Sequence, residues 1–382
     1  MIVSRLIVRN WKNFLRVDLP LEDRVFLVGP NASGKSNLLD VFHFMKDLVA
    51  PGGGLHQAIS RRGGLDLLRS LAAAKTAPVE FEFHFSAGNR SKPDWRYALS
   101  LKPYPRVRDI PMVARERVWQ GKKLILDRPE AADKKDRVRL RQTFLENVVT
   151  NAPFRDVADF FADSRYFHLI PHRFREIGGE EPSLSRDFSR REFFRQVAAA
   201  PVRTREARFR KIEEALKLSV PLLKGLRLRP PGDGDAHLES TFRHWREGSP
   251  PLREGQFSDG LLRLIGILWS LLEKSPLLLL EEPELSLNTA IVRQLPGLIH
   301  RLRRGVSSQV ILSTHSPSLL SDSGIDGREV VLLLPASDRS IEVARASDLP
   351  DIAVLLDKGL SVGEVVLPRT QPARIEELGY FQ

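Results

Sequence analysis

The 382-residue chain has no cysteine, and only 3 methionines and 4 tyrosines. Without cysteine it can form no disulfide, no thiolate zinc site and no cysteine nucleophile, which fits a reducing compartment. Long apolar runs are missing too. The nearest approach is LLRLIGILWSLLEKSPLLLL, residues 261–280, whose length nears that of a membrane span. Arg263, Glu273, Lys274 and Pro276 interrupt it, so it reads as a buried helix followed by a buried strand. Arg5 and Arg9 break the apolar start of MIVSRLIVRNWKNF, and no signal peptide is legible. The expectation is a cytoplasmic protein with no membrane segment. Internal repeats, sustained heptads and low-complexity linkers are also lacking.

What the chain has in excess is positive charge. It carries 59 Lys and Arg against 48 Asp and Glu, a formal charge of +11. Such a surplus favours polyanionic partners: nucleic acid, nucleotides or an acidic protein. The plain alternative is GC-rich coding that supplies arginine in place of lysine. Hydrophobic residues make up 42% and charged residues 28%, as in a soluble globular protein of one large or two ordinary domains.

Patterning divides the chain. RLIVRN (5–10), FLRVDL (14–19) and RVFLVG (24–29) read as strands. A helix follows from Lys35 until APGGG stops it. Period-two alternation predicts strands at 78–86 and 95–102, and a hairpin over 113–128 turning at Gln120-Gly121. Helical patterns rich in arginine are expected at 142–163, 186–198 and 203–218, with a hairpin in LRLRPPGDGDAHLESTFRHW. Beyond Pro250 the pattern is α/β: helix 259–273, strand 276–281, helix 286–303, strand 308–313.

GPNASGKS, residues 29–36, fits the phosphate-loop pattern G-x-x-x-x-G-K-[ST] between a predicted strand and a predicted helix. Gly29 and Gly34 would let the backbone wrap a phosphate, and Lys35 would reach the β and γ phosphates of ATP. The Ser36 hydroxyl would meet Mg²⁺. A second acidic motif lies far away. In PLLLLEEPE a buried strand delivers Glu281 and Glu282 to its C-terminal end, where ligands of open α/β sheets sit. Ionised carboxylates are costly to bury without a partner. Beside a phosphate loop, Glu281 would face the metal, and Glu282 would orient a water and accept its proton. The competing reading is two solvated acids at the start of helix 286–303.

With these residues in order, the sequence resembles the ABC-type ATPase heads of the RecF and SMC class, and more narrowly the compact AAA family ATPases related to them. GPNASGKSN is similar to their phosphate loop, which brings in Asn31, Ala32, Ser33 and Asn37. FSDGLLRL (257–264) resembles the signature motif, with Ser258, Asp259 and Gly260. LLLLEEPELSL resembles the Walker B strand and D-loop, and VILSTHSP (310–317) the switch-histidine strand carrying His315. The likeness covers roughly residues 1–50 and 250–320 well and the middle weakly. It implies a P-loop NTPase fold of class α/β, with an N-terminal antiparallel β subdomain and an inserted helical lobe. The corresponding boundaries are 1–130 with 245–345 for the head, 131–244 for the lobe and 346–382 for a tail.

The resemblance further implies ATP and Mg²⁺ as cofactors and a head-to-tail homodimer or higher oligomer. In it Ser258 meets the γ-phosphate of the opposite subunit, and Lys12 of NWKNF lies near the nucleotide. Glu281 stands where the family more often has aspartate, and Asn288 where many relatives have His-Pro. A Mg²⁺-sensing glutamine is not obvious; Gln57 is the candidate. No coiled-coil arm is expected. Only 67 residues (382 minus 315) follow His315, too few for an appended nuclease, so an ATPase head alone is expected. The arginine-rich segments 186–195, with Phe188, Phe193 and Phe194, and 203–211 suit DNA about as well as they suit a solvated helical face or a surface that docks a partner protein. Expected roles are a switch in anti-phage defence that controls an effector encoded nearby, RecF-like DNA repair, or a slow ATP-dependent scaffold. A transporter subunit fits the inserted middle and basic charge less well.

Overall fold

A computed structural model describes residues 1–87, 93–104, 107–170, 190–229, 236–243, 250–303, 308–336 and 340–371, the side chains of 107–109 and 190–192 excepted. Strands β1 (Ile2–Trp11) and β2 (Phe14–Pro20) form a hairpin, and β3 (Arg24–Val28) leads through a loop into helix α1 (Lys35–Val49). Next come β4 (Val79–Ser86), β5 (Trp95–Tyr104), β6 (Val107–Gln120) and β7 (Lys123–Arg128). These complete a six-stranded antiparallel sheet of order β2-β1-β4-β5-β6-β7. The expected hairpin is present, with Gly121 at φ +56° in its turn.

The later strands are β8 (Arg165–Phe167), β9 (Leu223–Arg229), β10 (His237–Phe242), β11 (Leu252–Arg253), β12 (Leu277–Glu281), β13 (Gln309–Thr314), β14 (Val330–Pro335) and β15 (Ile341–Arg345). A second six-stranded sheet runs β15-β14-β3-β13-β12-β8, parallel except for its edge strand β15. Strands β9 to β11 make a small antiparallel sheet.

The two sheets explain their own sequences. In β4, Phe81, Phe83 and Phe85 face the core while Glu80, Glu82 and His84 alternate with them, as expected of a sheet wet on one side. In β12 every leucine is apolar because both faces are covered. Leu277 and Leu279 join the core shared with the antiparallel sheet and α1; Leu278 and Leu280 join the core under helix Asp259–Leu272. Gln309 ties the sheets together: its amide donates to the Val3 carbonyl at 2.9 Å and accepts from the Val3 N–H at 3.1 Å.

Several expectations needed revision. The helix expected over 142–163 starts only at Arg155. Before it, the N–H groups of Phe144 and Leu145 donate to the buried Glu116 carboxylate, at 2.8 and 3.1 Å, instead of to a helical ladder. The helix expected over 286–303 is two pieces, Thr289–Val292 and Leu295–Arg303. Pro296 cannot donate to Val292, so the ladder breaks there. Strand β8, drawn into the lobe at 131–244, is an edge strand of the parallel sheet beside β12. Within 131–244, Leu140, Leu145, Phe154, Val157 and Phe161 join the first core, while Phe193 joins the second and packs on Trp269. In the segment after residue 345, Ile352, Val362 and Val366 lie in the second core.

Candidate ATP site

The loop after β3 depends on its glycines. A methyl group at Gly29 would stand 2.4 Å from the Leu333 carbonyl oxygen, and one at Gly34 would stand 2.2 Å from the Asn13 amide nitrogen. Gly34 also has φ +97° and Ala32 φ +62°, a left-handed course that turns successive N–H groups toward one side. Asn13, which the sequence reading passed over, donates to the Ser33 carbonyl at 3.0 Å and accepts from the Asn37 amide at 2.9 Å. Ser33 Oγ is buried with no hydrogen-bond partner among the described residues. The Lys35 ammonium rests on the Gly29 and Pro30 carbonyls, both at 2.9 Å.

Burial pulls the Lys35 pKa down to about 8, against the opposing pull of Glu282, Glu281 and Glu284. The sign of a pH effect follows. As pH rises through about 8 the free chain loses this cation, so ATP affinity should fall there. Phosphate anions favour the charged form, so binding near that pH should take up a proton. Calorimetry in buffers of different ionisation enthalpy measures both. Affinity that stays flat through this range would contradict a contact between Lys35 and phosphate.

At the end of β12 the neighbouring glutamates part company. Glu281 Oε1 accepts from the Ser36 hydroxyl and Oε2 from the Tyr166 hydroxyl. Glu282 takes φ +42° and faces His315, whose Nε2 is 3.2 Å from its Oε1. The hydrogen bond with His315 holds the Glu282 carboxyl below the usual carboxylate range, so it is ionised at neutral pH. The third carboxylate, Glu284, is half-buried. It accepts from Thr314 Oγ1 at 2.6 Å and from the His315 N–H at 3.1 Å, which fixes the turn that presents His315.

Asn31, Ala32, Gly34, Lys35, Ser36, Asn37, Glu282 and His315 line one cavity of about 430 Å³, within the range of small-molecule sites. Residues from the two ends of the sequence thus meet at the C-terminal edge of the parallel sheet. The donors suit Mg²⁺ with ATP. They are oxygen atoms, a hydroxyl and a carboxylate, and Mg²⁺ in nucleotide sites takes one or two carboxylates with phosphates and water. No group of three or more His, Cys, Asp or Glu that could hold a metal occurs among the described residues.

Other expected site residues lie apart. Lys12 is beside the loop, but its ammonium is 2.6 Å from Asp40 and donates to Asn37 at 3.2 Å. Gln57 is exposed on the helix Leu55–Ser60 and does not line the cavity. Ser258 caps the helix Asp259–Leu272, accepting from the Leu261 N–H at 3.3 Å. Gly260 abuts the D-loop; a methyl there would stand 2.6 Å from the Ser286 carbonyl. None of Ser258, Asp259 and Gly260 lines the cavity.

Tyr166 and His168 were missed because β8 was not foreseen. Tyr166 binds Glu281, and the charge of His168 bears on Glu282. The arginine-rich segments also differ from expectation. Phe188 lies outside the described residues. Phe193 and Phe194 are buried, Phe193 against Trp269 at 6.1 Å, so neither is free to stack on a base. Arg208 lies over Trp269 at 5.0 Å. No described helix is long and apolar enough to cross a membrane.

The strand–loop–helix, the paired carboxylates and the two-sheet head define an ATPase of the ABC type. The chain matches the family described as "AAA domain, putative AbiEii toxin, Type IV TA system" over residues 24–321, and it belongs to that family. Among solved structures it is similar to an Smc head bound to the C-winged helix domain of ScpA, with TM-score 0.53 and 17% identity over 90% of this chain and 97% of that one. It is also similar to an Smc head with an extended coiled coil bound to a ScpA domain, derived from Pyrococcus furiosus. There the TM-score is 0.50 and the identity 14%, over 94% of this chain and 99% of that one.

Short stretches resemble DNA replication and repair protein RecF. The match is 50% over 44 residues in Proteus mirabilis (11% of this chain, 12% of the relative). It is 37% over 62 residues in Roseiflexus castenholzii (16% of each chain). The chain therefore spans only about an eighth to a sixth of the length of these curated relatives.

Proposed function

We propose that the chain is an ATP-hydrolysing switch that closes head to tail with a second copy around ATP and releases on hydrolysis. The observation that carries this reading is the convergence of the phosphate loop, Glu282 and His315 on one cavity, with Glu281 bound to the lining Ser36. In the proposed chemistry Lys35 and the loop N–H groups bind the β and γ phosphates. Ser36 and Glu281 would hold Mg²⁺, which neutralises phosphate charge when bound. Glu282, ionised, orients the attacking water and accepts its proton. His315 holds Glu282 in place, and Glu284 holds His315.

Ser258, outside the cavity of its own chain and at a helix N-terminus, is offered to the γ-phosphate of a partner copy. The family's toxin–antitoxin description favours a role in prokaryotic defence, controlling an effector encoded nearby. The short likeness to RecF supports a second reading, action on DNA in repair. A cytoplasmic location accords with either role. Dimerisation with ATP and release on hydrolysis are the features on which this reading stands or falls. The Glu282→Gln chain with ATP and Mg²⁺ should double in mass by multi-angle light scattering and return to monomer with ADP. An unchanged mass at saturating ATP would refute the head-to-tail assembly.

A further inference from the structure

A second cavity, of about 640 Å³, opens where the segment 66–76 passes the end of β5. Among the described residues it shares no lining residue with the phosphate-loop cavity. Its deepest cation is Arg69, only 8% exposed. Arg69 Nη1 is satisfied by the Lys75 carbonyl and by Asp66, 3.1 Å away. Its Nε and Nη2 are buried with no hydrogen-bond partner among the described residues. Unmatched N–H groups on a buried guanidinium are unfavourable, and an oxyanion accepting from that planar fork removes the penalty.

The surroundings favour an anion as well. Lys75 and Lys102 line the same cavity with exposed side chains, and the Arg141 guanidinium lies 5.4 Å over the ring of Tyr104, another lining residue. Against these cations stands Asp66, largely exposed, where water screens it. Thr76, a neutral hydroxyl residue, also lines the cavity. Half-buried Tyr104 offers an aromatic face of the kind that stacks on bases. The volume is that of a small-molecule site.

We propose that this cavity binds a nucleotide phosphate, with Arg69 as the fork, Lys75 and Lys102 as the attracting charges and Tyr104 against the base. The phosphate belongs either to a free nucleotide or to a single nucleic-acid strand; both present the same chemistry. The site does not depend on hydrolysis at the phosphate loop. It is nonetheless close to that loop in the fold: the Lys12 N–H donates to the Leu68 carbonyl at 2.6 Å and the Ser70 N–H to the Asn10 carbonyl at 3.0 Å.

The test uses the Lys35→Ala chain, in which the first site is disabled, with fluorescent hexathymidylate and ADP as separate probes. Lys75→Glu with Lys102→Glu reverses two exposed charges and leaves the core untouched. If a strand is the ligand, hexathymidylate should bind, and the double reversal should weaken it at least tenfold. The slope of log K against log salt should then fall by about 1.4, roughly 0.7 for each lost contact. If a free nucleotide is the ligand, ADP should show the same loss. Arg69→Gln should weaken the same probe, with its melting curve reporting whether the fold survives. Absence of binding by both probes, or binding that the double reversal leaves unchanged, would overturn the proposal.

Discussion

Glu282→Gln should slow ATP hydrolysis by about 10²–10⁴-fold, the range for loss of a general base, and leave ATP affinity nearly unchanged. Glutamine keeps the shape of the side chain and can still reach His315, but it cannot accept the proton of the attacking water. Its neighbour should behave differently. Glu281 is engaged by the Ser36 hydroxyl, so Glu281→Gln should weaken Mg²⁺ dependence before it affects the chemical step. Single-turnover hydrolysis across a Mg²⁺ titration separates the two. If Glu281→Gln gives the slow, tightly ATP-bound enzyme and Glu282→Gln loses the metal, the two assigned roles are exchanged.

Lys35→Ala should weaken ATP binding by roughly 10²–10⁴-fold, from the loss of charge-assisted hydrogen bonds to two phosphates worth about 3–6 kcal/mol together. The side chain is already buried in the loop, held by carbonyls it can exchange for phosphate oxygens. Among the described residues that line that cavity, Lys35 is the only lysine or arginine. Calorimetry with ATP and Mg²⁺ measures the effect, and equal affinity for both chains would remove the phosphate loop from the mechanism.

Most of the site was legible because its parts are local. The phosphate loop, the leucine run ending in two glutamates and the STHS turn are each contiguous, and each lies at the end of a strand whose pattern is plain. What stayed hidden depends on contacts distant in sequence. Tyr166 sits on a three-residue strand, too short for a periodic signal, and its pairing with Glu281 spans 115 residues. Asn13 supports the loop from the β1–β2 turn, where an asparagine reads as ordinary turn chemistry.

The helix expected over 142–163 failed for a related reason. Its pattern was helical, but Glu116, buried on β6, captures the N–H groups that a helix would use. Phe193 and Phe194 misled because aromatic residues among arginines look alike whether they face nucleic acid or a core; only Trp269, more than 70 residues on, decides it. Ser258 shows the reverse case. Its motif was clear, yet one chain gives it only a capping role, and its proposed partner is a phosphate on another copy.

The most direct test of that last point mixes two inactive chains. Ser258→Arg retains Lys35 and Ser36 and should bind ATP as a monomer, yet fail to dimerise or hydrolyse. Lys35→Ala should be inactive because it does not hold ATP. In a head-to-tail heterodimer of the two, one site pairs two intact halves and the other two damaged ones. Random pairing into C2 dimers should then restore about a quarter of wild-type ATPase activity, with a maximum near equal mixing. No recovery on mixing, together with a Ser258→Arg chain that hydrolyses ATP alone, would show that each subunit works by itself and would contradict the shared site.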